Sequence, residues 1–218
     1  MNLQLALDRL TREECFHILD ETASTIDWIE VGTGVIKEYG MAVVREIKDR
    51  YPDKTLVADM KTCDAGKHEA AQAFRAGADM TTVMAFSADQ TIVDTLKVAE
   101  ETGGRIMIDL LGVTDPGRIE ELTGLGVDLV SLHFGKDMQQ TGDMKKEDLF
   151  SLVKEHPDLE VAIAGGINAD SLPGILKEGL DTIIVGSAIT KQSNTKKAAE
   201  SLKGAMNDYE NHHQYSQR

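Results

Sequence analysis

Thr55-Leu56-Val57-Ala58-Asp59-Met60-Lys61-Thr62-Cys63-Asp64 passes from a short apolar run directly into two carboxylates and an ammonium. The apolar part has the length and composition of a buried strand. Reactive side chains at a strand's C-terminal end are where α/β enzymes keep their chemistry. By the two-residue period of a strand, Asp59 and Lys61 share one face and can address one reacting centre, while Asp64 falls on the following loop. A solvent-exposed ion pair at a strand end would use the same residue types and contribute only ~0–1 kcal/mol. The rest of the chain decides between the two.

On either side of this stretch, short apolar runs alternate with longer amphipathic ones, the pattern of repeated βα units and a parallel sheet. Eight strands can be placed: Leu3 to Asp8, Trp28 to Gly32, Thr55 to Met60, Met80 to Phe86, Arg105 to Leu110, Leu129 to Phe134, Glu160 to Gly165 and Thr182 to Ser187. Gly77-Ala78-Asp79, Gly126-Val127-Asp128 and Gly179-Leu180-Asp181 recur roughly 50 residues apart, each glycine suited to end a helix before the fourth, sixth and eighth strands. The simplest architecture is a single (β/α)8 barrel over residues 1–210, with a doubly wound open sheet as the alternative. The polar residues 211–218 are expected to form a frayed tail.

Composition narrows the function. The chain has 218 residues and a formal charge of −14, which disfavours nucleic acid and anionic membranes as partners. No apolar run approaches the roughly 20 residues needed to span a bilayer, and Met1-Asn2-Leu3-Gln4 does not open a signal peptide. Cys15 and Cys63 lack paired spacing, which fits a reducing compartment, and a cytoplasmic location is expected.

In a barrel the strand ends carry the chemistry. Asp8, Glu30, Asp59 and Asp109 would bring four carboxylates to one mouth with Lys61 as the nearby counter-charge. A divalent cation would resolve that imbalance. All-oxygen ligation with few protein groups suits Mg2+, with Glu30 and Asp59 the favoured ligands. Lys61 beside carboxylates should stay an ammonium, able to stabilise an enediolate oxygen; Schiff-base chemistry would need a depressed pKa that these neighbours oppose. His133 ends the sixth strand as a candidate general base, with a histidine merely satisfied by backbone groups as the competing role. Gly165-Gly166 after the seventh strand and Gly186-Ser187 after the eighth form the place where barrels build a phosphate site, so the substrate is expected to be a phosphorylated small molecule.

Leu3-Gln4-Leu5-Ala6-Leu7-Asp8, Ile29-Glu30-Val31-Gly32-Thr33, Ala58-Asp59-Met60-Lys61 with Asp64-Ala65-Gly66, and Ala162-Ile163-Ala164-Gly165-Gly166-Ile167 together resemble the orotidine-monophosphate-decarboxylase-like suprafamily. The likeness runs from Leu3 to about Thr190, and the Asp-x-Lys-x-x-Asp pattern is its specific signature. Two branches share these motifs, the 3-hexulose-6-phosphate synthases and the 3-keto-L-gulonate-6-phosphate decarboxylases.

The resemblance implies a homodimer of barrels in which Asp64 reaches into the partner's site. It also implies Mg2+ held through Glu30 and Asp59, Asp8 near substrate hydroxyls, and Asp109 orienting Lys61 or substrate. Gly165, Gly166, Gly186 and Ser187 would lie around the phosphate of a ketose substrate. Both branches pass through a 1,2-enediolate, one by removing a proton, the other by losing CO2. Ser187 and Asp109 stand where the decarboxylases usually carry arginine and glutamate, which favours the synthases. Lys136, where decarboxylases carry an arginine, together with Phe134 and Thr62-Cys63, departs from the synthase pattern. An epimerase would need paired histidines at strand ends, and a binding protein would not need this catalytic set.

Overall fold

Eight strands, each hydrogen-bonded in parallel to the next in chain order, close on themselves through β8 and β1. The computed structural model describes residues 1–138 and 146–214. The strands are β1 (Asn2–Leu7), β2 (Trp28–Val31), β3 (Thr55–Thr62), β4 (Met80–Met84), β5 (Arg105–Asp109), β6 (Leu129–His133), β7 (Glu160–Ala164) and β8 (Thr182–Val185). Each end lies within two residues of the position expected from the sequence. The open-sheet alternative is excluded, because the β1–β8 ladder leaves no edge.

Alternation along each strand sorts the core into two layers. Leu3, Leu5 and Leu7 of β1, with Ile29 and Val31 of β2 and Ile106 and Ile108 of β5, pack outward beneath the helices. Each such side chain contributes roughly 1.5–3 kcal/mol of burial. The opposite face fills the barrel with Val57, Met80, Met107, Leu129, Ala162 and Ile184. Two residues further along, the interior turns polar: Asp59 follows Val57, Thr82 follows Met80, Asp109 follows Met107 and Ser131 follows Leu129, all of them buried. An apolar plug therefore seals the bottom of the barrel and leaves the polar groups at its C-terminal mouth.

Local sequence explains the helices. Thr11 and Glu14 form a capping box ahead of helix Arg12–Thr22, whose buried Cys15, Ile18, Leu19 and Thr22 follow helical spacing. Gly77, Gly126 and Gly179 adopt positive φ at helix ends, as the recurring Gly-x-Asp pattern required. The last helix, Thr195–Gln214, runs into the stretch expected to be a frayed tail. It holds because Ala199, Leu202 and Met206 bury one stripe and Glu210 meets the N-terminal amine at 2.6 Å. The rest of that tail, residues 215–218, lies outside the described residues. Among the described residues no helix is long and apolar enough to cross a membrane.

Candidate active site

β3 and β5 bring the central groups together. Lys61 Nζ lies 3.1 Å from Asp59 Oδ1 and 2.7 Å from Asp109 Oδ2. Asp109 then reaches His133 on β6, whose Nδ1 stands 2.9 and 3.0 Å from its two oxygens, and Asp109 Oδ1 also accepts the Leu111 N–H at 2.9 Å. One continuous chain of contacts thus links Asp59, Lys61, Asp109 and His133.

The charges follow from this geometry. Burial works against the Lys61 ammonium, but Asp59 and Asp109 outweigh it and raise its pKa above the ordinary lysine value. Both neighbours favour the ammonium over the neutral amine that Schiff-base chemistry needs. Burial also pushes the Asp109 carboxyl up, yet the hydrogen bond and charge from His133 and Lys61 prevail and hold it down at about 2. An ionised carboxylate only accepts hydrogen bonds, so His133 must carry its proton on Nδ1. In the neutral ring, Nε2 is left with the lone pair.

Asp59 is held from both sides, by the Thr33 hydroxyl at Oδ2 and the Thr82 hydroxyl at Oδ1, each at 2.8 Å. Lys61 has φ 48°, an αL conformation that costs a non-glycine residue on the order of 1–3 kcal/mol and concentrates at functional sites. It sits where the β3–β4 register breaks between Ala58 and Thr62. A bulge of this kind re-aims a side chain.

Glu30, on β2, is buried with Gln4 Nε2 as its hydrogen-bond donor at 2.6 Å. Burial, reinforced by the Asp59 charge, pushes its carboxyl up to about 8. Gln4 Oε1, next to it, is buried with no hydrogen-bond partner among the described residues. Among those residues no set of three or more His, Cys, Asp or Glu converges to hold a metal. The donor set is instead two neighbouring carboxylates, Glu30 and Asp59, one of them without a basic partner. That fits Mg2+, which is commonly bound through one or two protein carboxylates and keeps several waters.

The glycine turns stand at the same end of the barrel. His133 pairs in register with Ala164, so Gly165-Gly166 continues directly beside His133 and Phe134. A Cβ on Gly165 would lie 2.1 Å from the Phe134 carbonyl oxygen, and its φ of 110° also demands glycine. Gly186 and Ser187 follow β8, with Ser187 exposed at the start of a short turn of helix, Ser187–Thr190.

The remaining candidates lie apart from the Asp59–His133 chain. Asp8 accepts the Gly34 N–H at 2.9 Å and pairs with Arg9 at 3.0 Å, which gives it a structural task at the rim. Lys136 is exposed in the turn after β6. Asp64 is exposed and touches neither Lys61 nor Asp59 of its own chain. The groups missed from sequence are Gln4, Thr33 and Thr82, neutral partners that in a strand or helix start look like ordinary formers of those elements. Only the two-residue period, extended from Asp59 and Asp109 to their neighbouring strands, could have pointed to Gln4 and Thr82.

Residues 1–202 match the orotidine 5'-phosphate decarboxylase / HUMPS family. A 3-hexulose-6-phosphate synthase of Bacillus subtilis (strain 168) is 36% identical over 204 residues, covering 93% of this chain and 97% of the relative. The crystal structure of 3-hexulose-6-phosphate synthase from Salmonella typhimurium superposes with a TM-score of 0.92 at 34% identity, covering 96% of this chain and all of that one. That of 3-keto-L-gulonate-6-phosphate decarboxylase from Vibrio cholerae gives 0.82 at 29% identity, with 95% and 98% covered.

Proposed function

The chain belongs to the orotidine 5'-phosphate decarboxylase / HUMPS family, and from that premise we propose that it condenses D-ribulose 5-phosphate with formaldehyde to D-arabino-hex-3-ulose 6-phosphate. It is a carbon–carbon lyase of the 3-hexulose-6-phosphate synthase type, working in the cytoplasm. The observation that carries this reading is the single chain Asp59–Lys61–Asp109–His133 at the barrel mouth.

His133 Nε2 takes the proton from C1 of the ketose, while the Asp109 carboxylate holds the ring in that tautomer and stabilises the imidazolium that forms. The electron pair left at C1 delocalises onto the neighbouring carbonyl oxygen as an enediolate. Lys61, already ionised and fixed between two carboxylates, meets that developing charge without reorganisation. The C1 carbanion then adds to the formaldehyde carbon, and the aldehyde oxygen takes a proton. The turns at Gly165-Gly166 and Gly186-Ser187 hold the phosphate, with Asp8 and Lys136 at the rim toward the substrate. Glu30 and Asp59 would hold Mg2+, which when bound supplies a Lewis acid for the substrate oxygens. Dialysis against a chelator is expected to abolish turnover, with Mg2+ restoring it; undiminished activity in the chelator would remove the metal from the account.

Asp64 acts in a neighbouring subunit. Its exposure, and its lack of contact with its own Lys61, supports a homodimer with shared sites. Lys61→Ala and Asp64→Ala should each be inactive alone. Mixed and refolded at equal amounts, they should regain about a quarter of wild-type activity, since half the dimers are hybrids with one intact site of two. A mixture as inactive as its components would place Asp64 elsewhere.

The second reading is decarboxylation of 3-keto-L-gulonate 6-phosphate to L-xylulose 5-phosphate, favoured by Lys136 standing where that branch carries an arginine. Parallel assays of kcat/KM on the two substrates discriminate. CO2 release without condensation would reverse the assignment.

A further inference from the structure

Strand β4 sets one residue against three of β3. The ladder pairs Ala58 with Thr81 and resumes at Thr62 with Val83, so Asp59, Met60 and Lys61 together oppose Thr82. A bulge disrupts the local ladder and leaves backbone groups in need of other partners. Here the Lys61 N–H finds the Thr82 hydroxyl at 2.9 Å. The same hydroxyl donates its proton to Asp59 Oδ1 at 2.8 Å. One proton and two lone pairs allow both bonds at once. Thr82 is only 5% exposed, so bulk water is poorly placed to replace it. Its neighbour Thr81 closes the near side of the bulge by donating to the Ala58 carbonyl at 3.0 Å.

We propose that Thr82 is the positioning residue of this site: its hydroxyl stands in for the lost ladder acceptor, fixes the left-handed backbone at Lys61, and thereby aims the ammonium between Asp59 and Asp109. Thr82 acts through Lys61 and Asp59 rather than on the substrate. A side chain of the same shape without the hydroxyl would fill the space but leave the Lys61 amide without its acceptor and Asp59 without one donor. The consequence for turnover rests on the role given to Lys61 above, whereas the consequence for the backbone does not.

Two measurements on Thr82→Val and Thr82→Ser test this. The first is turnover: Thr82→Val should lower kcat by about 10–100-fold, the scale of a small misplacement in a catalytic constellation, while KM for the phosphorylated ketose stays within about threefold. Thr82→Ser, which keeps the hydroxyl, should recover most of the loss. The second is amide hydrogen exchange of a peptide covering Asp59 to Thr62, which should be slow in the wild type, accelerated in the valine variant and slow again in the serine variant. Should the valine variant not fold, Thr82→Ala compared with Thr82→Ser asks the same question. A valine variant with wild-type kcat, a serine variant no better than valine, or exchange unchanged by losing the hydroxyl would each overturn the proposal. If the wild-type chain turns over neither substrate, the proposed function fails, and the exchange experiment alone still decides the role of Thr82.

Discussion

Lys61→Ala is expected to lower kcat by about 10²–10³-fold or more while binding of the phosphorylated ketose survives. Removing one preorganised donor from a developing oxyanion costs this much in well-studied sites. Among the described residues no other lysine or arginine pairs with Asp59 or Asp109, and Lys136, the other basic side chain assigned to the site, is exposed in the turn after β6. The turns after β7 and β8 proposed to hold the phosphate lie at a different part of the rim, so KM should move far less than kcat. The substitution also leaves Asp59 and Asp109 buried without their common counter-ion, and breaking a buried pair destabilises by about 3–5 kcal/mol. Lys61 is 27% exposed, which places the loss toward the lower end. Activity must therefore be read well below the lowered melting temperature. A phosphate-binding protein with no turnover would lose stability in the same way but keep its function, and that outcome would refute the catalytic role.

His133→Gln is expected to lower kcat by about 10²–10⁴-fold, the range for removing a positioned general base. Glutamine can still hydrogen-bond to Asp109 and is close in size, so the loss reflects missing basicity more than missing packing. The deficit should lie in proton removal from C1, not in substrate binding. Asp109→Asn should reproduce much of it, since an amide can present its N–H as well as its oxygen to Nδ1 and no longer dictates which ring nitrogen keeps the lone pair. If His133→Gln retains wild-type kcat, the histidine is a structural group satisfied by Asp109 and the base lies elsewhere.

The sequence carried the barrel more fully than it carried the site. Short apolar runs between amphipathic stretches, with the three Gly-x-Asp ends, were enough to place all eight strands, because a closed parallel sheet buries both faces and leaves strong local signals. The C-terminal helix extends through Gln214, past the expected start of a polar tail at Asn211, because its buried stripe is anchored further back, at Ala199, Leu202 and Met206. Period two put Asp59 and Lys61 on one face, and the two do meet. They meet, however, through a bulge with αL backbone at Lys61, and nothing local in Asp-Met-Lys announces a positive φ there. Thr82 and Gln4 stayed invisible for a related reason: their importance lies in what the neighbouring strand presents, a register that only tertiary structure sets. Asp8 was legible as a strand-end carboxylate, but its bond to the Gly34 amide depends on how closely β1 and the first turn of helix Thr33–Tyr39 approach.

On the proposed mechanism the Asp109-tethered His133 removes a substrate proton and Lys61 stabilises the resulting enediolate. Incubating the protein with D-ribulose 5-phosphate and Mg2+ in D2O, without formaldehyde, and following the C1 protons by NMR puts that step to the test. The wild type should exchange one C1 proton for deuterium, whereas His133→Gln and Lys61→Ala should leave both in place over the same time. Product formation by an enzyme that never exchanges that proton, or exchange that continues undiminished in His133→Gln, would contradict the account.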